Sequence, residues 1–289
     1  MKVVGFSFIK NAIRMQYPIV EAIQSILPLC DEVIVAVGKS DDATRQMVEA
    51  IDKKVKILDT IWEDSLKEGG RVLAVETDKA FKAIAKDADW CIYIQGDEVM
   101  HEDGYKEVRN AMLKWKDDEN VDGLLFKYRH FFGSYDYVGI EGKWYRNEIR
   151  IIKNNPSFFS YRDAQGFRKD NNKKLQVKQL NAFIHHYGWV QCPHIMKAKS
   201  DYKGKIYRSE EFDETNIVVP ENFAFMLVNA LKKYPYKHPQ VMQQRIENVD
   251  WVFNYDESKN KLSLKDRFKN ISEKVLGTRL FDYKNYKIV

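Results

Sequence analysis

Trp90 to Ile94 is an unbroken apolar run, rich in β-branched and aromatic residues, with Asp89 before it and Gly96, Asp97 and Glu98 just after it. A strand of that kind is covered on both faces. Glu32 to Val37 repeats the pattern, Lys2 to Ile9 reads as a first strand, and Lys54 to Leu58 as a short third. Helical stretches lie between them. One is opened by Pro18 and runs to about Leu29, a second reaches about Ile51, and a third spans Leu73 to Ile84 with Leu73, Ala80, Phe81 and Ile84 on one face. Strands alternating with helices argue for right-handed βαβ units, and so for an α/β fold with a mostly parallel central sheet flanked by helices.

In such a sheet, ligands bind beyond the carboxyl ends of the strands. Gly96 lets the backbone turn there, and Asp97 and Glu98 follow at once. Carboxylates in that position suit a hard divalent cation, especially one carrying phosphates. They equally suit capping of the helix that begins near Asp103. The second strand ends in Gly38-Lys39-Ser40-Asp41-Asp42-Ala43-Thr44. That cluster can cap the following helix or hydrogen-bond a nucleotide. Gly69 and Gly70 can present backbone N–H groups to a phosphate, or serve as ordinary loop residues.

Composition removes several classes. Of the 289 residues, 44% are hydrophobic and 31% charged, enough for a sizeable core under a wet surface. No run of about 18 apolar residues exists, so no transmembrane helix is expected. Met1 to Phe6 is strand-like rather than a signal peptide. Cys30, Cys91 and Cys192 are scattered, odd in number and without zinc spacing, which suits a reducing compartment. A net charge of +5 permits attraction to phosphates or to a membrane surface, and no nucleic-acid motif or repeat accompanies it. The expected location is cytoplasmic, with peripheral attachment to the inner membrane left open.

The segment Asp89 to Glu98 resembles the strand and Asp-x-Asp element of family 2 type glycosyltransferases with the GT-A fold. The resemblance implies that Asp97, at the position of the last acid, helps hold a metal bound to a nucleotide-sugar diphosphate, with Glu98 as a second ligand. Gln95 stands where the first Asp usually stands. The turn after the second strand is similar to the family's Asp-x-Gly-Ser-x-Asp-x-Thr through Ser40, Asp42 and Thr44. The family's earlier Asp falls on Val37, which passes base recognition to Lys10, Asn11, Ser40 or Asp42. The Glu68 to Lys79 segment lies where the family places a second donor-binding loop and helix, making Arg71 a diphosphate or uracil-side contact. A His-Tyr pair after the last family strand matches His186-Tyr187, which implies His186 as a metal ligand beside Asp97. Adjacent strand residues face opposite sides, so His185 should then face away.

Glu148 to Lys153 reads as an edge strand by alternation and resembles the Arg-Leu-Phe-Arg strand of bacterial members. The His-Glu pair those relatives often carry is not present further on. Asp163 and Gln165 are its polar replacements, and Asp163 is the only carboxylate in that turn. Direct displacement with inversion needs a carboxylate base, for which Asp163 is the first candidate and Glu148 the next. Asp163 also fits a plain turn residue in a salt bridge, and Glu148 fits a partner of Arg150 or Lys153. Tyr135, Tyr137, Trp144, Tyr145, Phe158, Phe159 and Tyr161 make this region dense in rings, which serve packing or stack on sugar faces.

The resemblance covers about residues 2–190. It implies a GT-A, Rossmann-like catalytic domain, taken over 1–225, and the match fades from about Tyr202, so that 226–289 reads by its own pattern as a helical extension. The implied reaction moves a sugar from a UDP- or GDP-linked donor to a hydroxyl acceptor, with Mn²⁺ or Mg²⁺ neutralising the leaving diphosphate. A saccharide or lipid-linked acceptor in surface polysaccharide or lipopolysaccharide synthesis follows from the family alone. Pro220 starts a helix to Tyr234, Lys232 to Pro239 is a basic, aromatic linker, and helices follow at 239–248 and 262–275. This tail either packs on the sheet or touches a membrane or acceptor. Two other classes remain open. A nucleotidyltransferase would carry a Gly-rich basic loop, and Phe6 to Asn11 is not one. A non-catalytic binding protein of the same fold is favoured by Gln95, Val37 and the missing His-Glu pair.

Overall fold

The computed structural model describes residues 1–66, 68–208 and 226–289. The first half runs β1 (Val3–Ile9), α1 (Ile19–Gln24), β2 (Glu32–Gly38), α2 (Thr44–Glu49), β3 (Val55–Thr60), α3 (Arg71–Lys82), β4 (Trp90–Tyr93), β5 (Glu98–Met100) and α4 (Tyr105–Trp115). Then come β6 (Gly123–Phe132), β7 (Ser134–Gly139), β8 (Asn147–Lys153), β9 (Phe158–Tyr161), β10 (Gly166–Lys169), β11 (Lys173–Lys174), β12 (Gln176–Trp189) and α5 (Pro193–Arg208). The tail contributes β13 (Leu231–Lys233), helices Gln243–Glu247 and Leu264–Leu276, and β14 (Lys287–Ile288).

The α/β layout expected from the alternation is present. Strands β3, β2, β1 and β4 lie side by side and parallel. Their side chains alternate between two apolar layers. Val3, Val33, Val35, Trp90 and Ile92 pack with α1 on one face. Val4, Phe6, Ile34, Ala36, Cys91 and Tyr93 pack with α3 on the other. This is the double burial that the apolar runs require. The register aligns Ile9 with Val37 and Phe6 with Tyr93, which brings the carboxyl ends of β1, β2 and β4 to one edge.

Beyond β4 the pairing changes hand. Strand β8 runs antiparallel to both β4 and β6. The long β6 carries parallel β12 along one side and turns antiparallel to β7 near its end. Strand β8 is therefore interior, not the edge strand that its Glu-Ile-Arg-Ile alternation suggests. Its residues 148–152 are all buried. The polar half of the alternation points inward because Arg150 finds a carboxylate there.

The tail is not purely helical. Strand β13 pairs with β7 and β14 with β12. The start of the helix expected from Pro220 lies outside the described residues, and its expected end, 231–233, is strand. No described helix is long and apolar enough to cross a membrane. Helix α4 is preceded by a short turn, Glu102–Gly104, in which the ring of His101 accepts from Asp103 N–H, so neither Asp97 nor Glu98 serves as its cap.

Candidate functional site

A cavity of about 420 Å³ opens at the carboxyl ends of β1 and β4. Its floor is Gln95, Gly96 and Asp97, one side is the Ile9–Asn11 loop, and the remaining walls come from β6, β12, α5 and the loops 143–145 and 163–165. Of the residues expected from sequence, Lys10, Asn11, Gln95, Asp97, Asp163 and His186 line it together.

Asp97 has a basic surround. The buried ammonium of Lys199 lies 3.4 Å from Asp97 Oδ2, and His186 Nε2 lies 3.7 Å from the same oxygen. Lys199 also donates to the Gly188 carbonyl at 2.6 Å and sits 4.3 Å from the centre of the Tyr17 ring. Burial lowers the pKa of Lys199, and Asp97 opposes that shift. Gly188 permits the arrangement, because a Cβ there would run into Asp97 Oδ2 and the His186 ring. His185, one residue away, points to the opposite face, where it meets Tyr187 Oη at 3.0 Å and the Phe131 ring at 5.1 Å.

Ser40 and Asp42 do not line the cavity. They hold its rim. The Ser40 hydroxyl accepts from Asn11 N–H at 3.0 Å and donates to Gly38 O at 2.8 Å. The Asp42 carboxylate accepts from Arg14 N–H at 2.9 Å and Thr44 N–H at 3.0 Å. Burial resists ionisation of Asp42, but the Thr44 and backbone donors outweigh it and keep the pKa below the usual range. Thr44 adds a 2.7 Å bond from Ala12 N–H. The polar cluster after β2 is thus spent on fixing the loop that presents Lys10 and Asn11, with Asn11 held at a left-handed φ of 51°. Gly38 lets the Trp62 indole lie against the strand end, where a Cβ would stand 2.5 Å from its Nε1. Lys10 Nζ in turn lies 5.6 Å from the Trp62 ring. Val37 is buried in the core and offers nothing to a base. Arg71 is exposed at the start of α3 and does not reach the cavity.

Glu98 is not available as a ligand. Both its oxygens are taken by Arg150, at 2.7 Å and 2.6 Å, with Tyr128 Oη donating at 2.9 Å and Gln95 N–H at 3.2 Å. Both partners are fully buried. Burial works against the Arg150 cation and Glu98 outweighs it, holding its pKa above the ordinary value. Glu148 is also out of the cavity. It is buried, accepts from Gln165 Nε2 at 2.8 Å, and burial raises its pKa to about 7.

Asp163 reaches the cavity on the β9–β10 turn, between Arg162 and Ala164, which both have positive φ, 56° and 64°. Contacts from the cavity floor and from β8 hold this strained turn. Gln95 Nε2 donates to Ala164 O at 3.0 Å, and Arg150 donates to Gln165 O at 3.0 Å. The first explains Gln95, since an ionised Asp in its place could only accept.

Sequence reasoning missed Lys199, Tyr17 and His130. Lys199 sits in a mixed helix with no motif, and only the packing of α5 brings it in. His130 is buried, its Nε2 bonded to Tyr145 O at 2.9 Å, and burial followed by nearby His186 holds its pKa well below normal. Of the rings flagged by sequence, Trp144 and Tyr145 line the cavity. Trp144 stacks on His130 at 5.4 Å.

The residues present do not fit a divalent cation resident in the site. Among the described residues no group of three or more His, Cys, Asp or Glu side chains is placed to hold one. A cation about 2.1 Å from Asp97 Oδ2 would lie within about 5.5 Å of Lys199 Nζ. Its repulsion from that ammonium is on the order of 6 kcal/mol at an effective dielectric of about 20.

No protein-family model and no curated protein sequence matches the chain. Among solved structures it is similar to S. aureus TarS, with a TM-score of 0.43 and 15% identity over 74% of this chain and 41% of that one. The 1–349 portion of TarS in complex with UDP-GlcNAc gives a TM-score of 0.41 at 14% identity, covering 74% of this chain and 69% of that one. A third is glucosyl-3-phosphoglycerate synthase from Mycobacterium tuberculosis in complex with Mn²⁺, UDP and phosphoglyceric acid. It has a TM-score of 0.30 and 18% identity over 45% of this chain and 43% of that one. The chain thus spans about two fifths of the first of these TarS chains. A likeness this loose identifies neither a substrate nor a reaction.

Proposed function

We propose that the chain is a glycosyltransferase that takes a sugar from a nucleoside-diphosphate donor and passes it to a hydroxyl acceptor with inversion. The observation that carries this reading is the cavity itself. At the carboxyl ends of parallel strands it combines a buried cation, Lys199, with a carboxylate, Asp97, and aromatic walls. Ring faces suit a base and a sugar, and the cation suits a diphosphate. The resemblance of the Asp89–Glu98 segment points the same way.

In this reading the donor diphosphate lies against Lys199, which exchanges its pairing with Asp97 for the phosphates. Leaving-group charge is then met by an ammonium already fixed in a dry site. The metal role expected for Asp97 and His186 passes to Lys199 together with His186, and no step needs a resident metal. Trp62 and Lys10 flank the base, and Trp144 and Tyr145 face the acceptor. Asp163 takes the acceptor proton from the side that the β9–β10 turn supplies. Donor handling belongs to the 1–225 unit. The 226–289 extension serves the acceptor side, consistent with the helix Leu264–Leu276 bracing the loop that bears Trp144.

Calorimetry with UDP and GDP in EDTA tests this directly. One of them should bind, and Lys199→Met should weaken binding by tenfold or more, roughly the loss of one charge-assisted contact. Asp163→Asn should leave that affinity near wild type and lower turnover by roughly 10²–10⁴. Absence of nucleoside-diphosphate binding with and without Mn²⁺ would remove the donor assignment. Binding with no transfer to any saccharide acceptor would favour the non-catalytic binding protein.

A further inference from the structure

The terminal helix Leu264–Leu276 is docked by its polar side. Asp266 accepts from Gly142 N–H at 2.9 Å, Asn270 donates to Ile140 O at 3.1 Å, and Glu273 holds both Arg146 and Arg279. Its other side is apolar and open. Leu264 is 84% exposed, Phe268 50%, Ile271 62% and Val275 74%. The spacing i, i+4, i+7, i+11 confines these four to a stripe about 60° wide at about 100° per residue. Phe281, 83% exposed, extends the stripe beyond the helix end, with its ring 6.3 Å from that of Phe268. Scattered exposed apolar residues are ordinary, but a contiguous stripe marks a surface that is covered in use.

The charges beside the stripe identify the cover. Lys261, Lys265, Arg267 and Lys274 are exposed around it, and none has an acid partner among the described residues. The acids between Asp266 and Asp282 are all paired. Asp266 is bound to Gly142 and Ser263, Glu273 to two arginines, and Asp282 to Lys269. An apolar stripe with basic flanks, in a segment whose acids Asp266, Glu273 and Asp282 are all paired, fits an anionic lipid surface, with the rings in the acyl boundary and the cations at the headgroups.

We infer that the helix Leu264–Leu276 with Phe281 is an interfacial anchor that lays the protein on an anionic bilayer. The same helix braces the 140–146 loop, and that loop brings Lys143, Trp144 and Tyr145 to the cavity. Docking therefore fixes one wall of the cavity relative to the lipid surface. If the cavity is the glycosyltransferase site proposed above, its acceptor is one held at that surface, a lipid-linked hydroxyl compound. That consequence rests on the donor reading, whereas the docking itself does not.

The test is co-sedimentation of the full chain with vesicles of phosphatidylcholine alone and of phosphatidylcholine with phosphatidylglycerol. Binding should require the anionic lipid and fall with added salt. Replacing Lys265, Arg267 and Lys274 together by Glu should weaken it on the order of a hundredfold or more. Phe268→Glu with Ile271→Glu should abolish it. All five side chains are exposed, so the melting temperature and the affinity for whichever of UDP and GDP binds should stay near wild type in both variants. Equal binding to neutral vesicles, or no loss in either variant, overturns the inference. So does sedimentation velocity showing a dimer without lipid that Ile271→Glu dissociates, since a second copy would then cover the stripe. Failure of both UDP and GDP to bind the wild type strikes the donor reading and leaves the vesicle result to stand on its own.

Discussion

Arg150→Met tests what holds the cavity floor. The substitution keeps length and removes charge at a residue that is 0% exposed. Glu98 loses both short bonds to the guanidinium and keeps only Tyr128 Oη and Gln95 N–H. The carbonyls of Ile149 and Gln165 lose their Arg150 donors as well. Breaking one side of a buried ion pair costs about 3–5 kcal/mol, a large share of the roughly 5–15 kcal/mol that stabilises a domain. The double variant Glu98→Leu/Arg150→Met removes the stranded charge and should regain most of that loss, because apolar replacements of buried pairs are often neutral. Urea unfolding followed by tryptophan fluorescence measures all three proteins, with equal m-values as the check that the comparison is two-state. A single-variant loss below about 1 kcal/mol, a size typical of exposed pairs, would refute the account of Glu98 as a buried anchor. It would also return Glu98 to the list of candidate ligands.

Two further outcomes follow from the same geometry. Glu148 keeps its proton up to about pH 7 in the folded chain, against an ordinary value of 4.5. Its contribution is therefore full below the unfolded value and is lost as pH rises through about 7, a fall of about 3 kcal/mol. Glu148→Gln should flatten that part of the stability–pH curve, and an unchanged slope in urea midpoints between about pH 5 and about pH 8 would show that another group causes it. Gly188→Ala drives a methyl into Asp97 and His186. Affinity for whichever of UDP and GDP binds, measured by calorimetry, should drop about tenfold or more, with wild-type affinity ruling out the close approach.

The parallel half of the sheet was legible because its signal is local. Burial on both faces leaves apolar runs such as Trp90–Ile94, and the punctuation between them gave order and spacing. The same runs, ending in Gly96-Asp97, located the cavity floor. Strand β8 has the alternation of an edge strand, because Glu148 and Arg150 look like solvent-facing residues. Arg150 is buried against Glu98, a partner 52 positions away that no local pattern announces, and Glu148 against Gln165. Ser40 and Asp42 stand out by residue type, and type does not distinguish a group that touches a ligand from one that holds the loop beside it.

What the sequence determined by itself was the α/β frame, the position of Asp97 at a strand end and the opposite facing of His185 and His186, all consequences of chain periodicity. Tertiary structure alone decided which groups meet at Asp97. Lys199 lies 102 positions away on a helix without a motif and reaches Asp97 Oδ2 only because α5 follows β12 back across the cavity. That one approach changes the chemistry of the site, since a fixed cation occupies the side of the carboxylate where a metal was expected. The reason is physical: covalent order sets the period of burial, but the electrostatics of a site depend on distances between residues that only packing brings together.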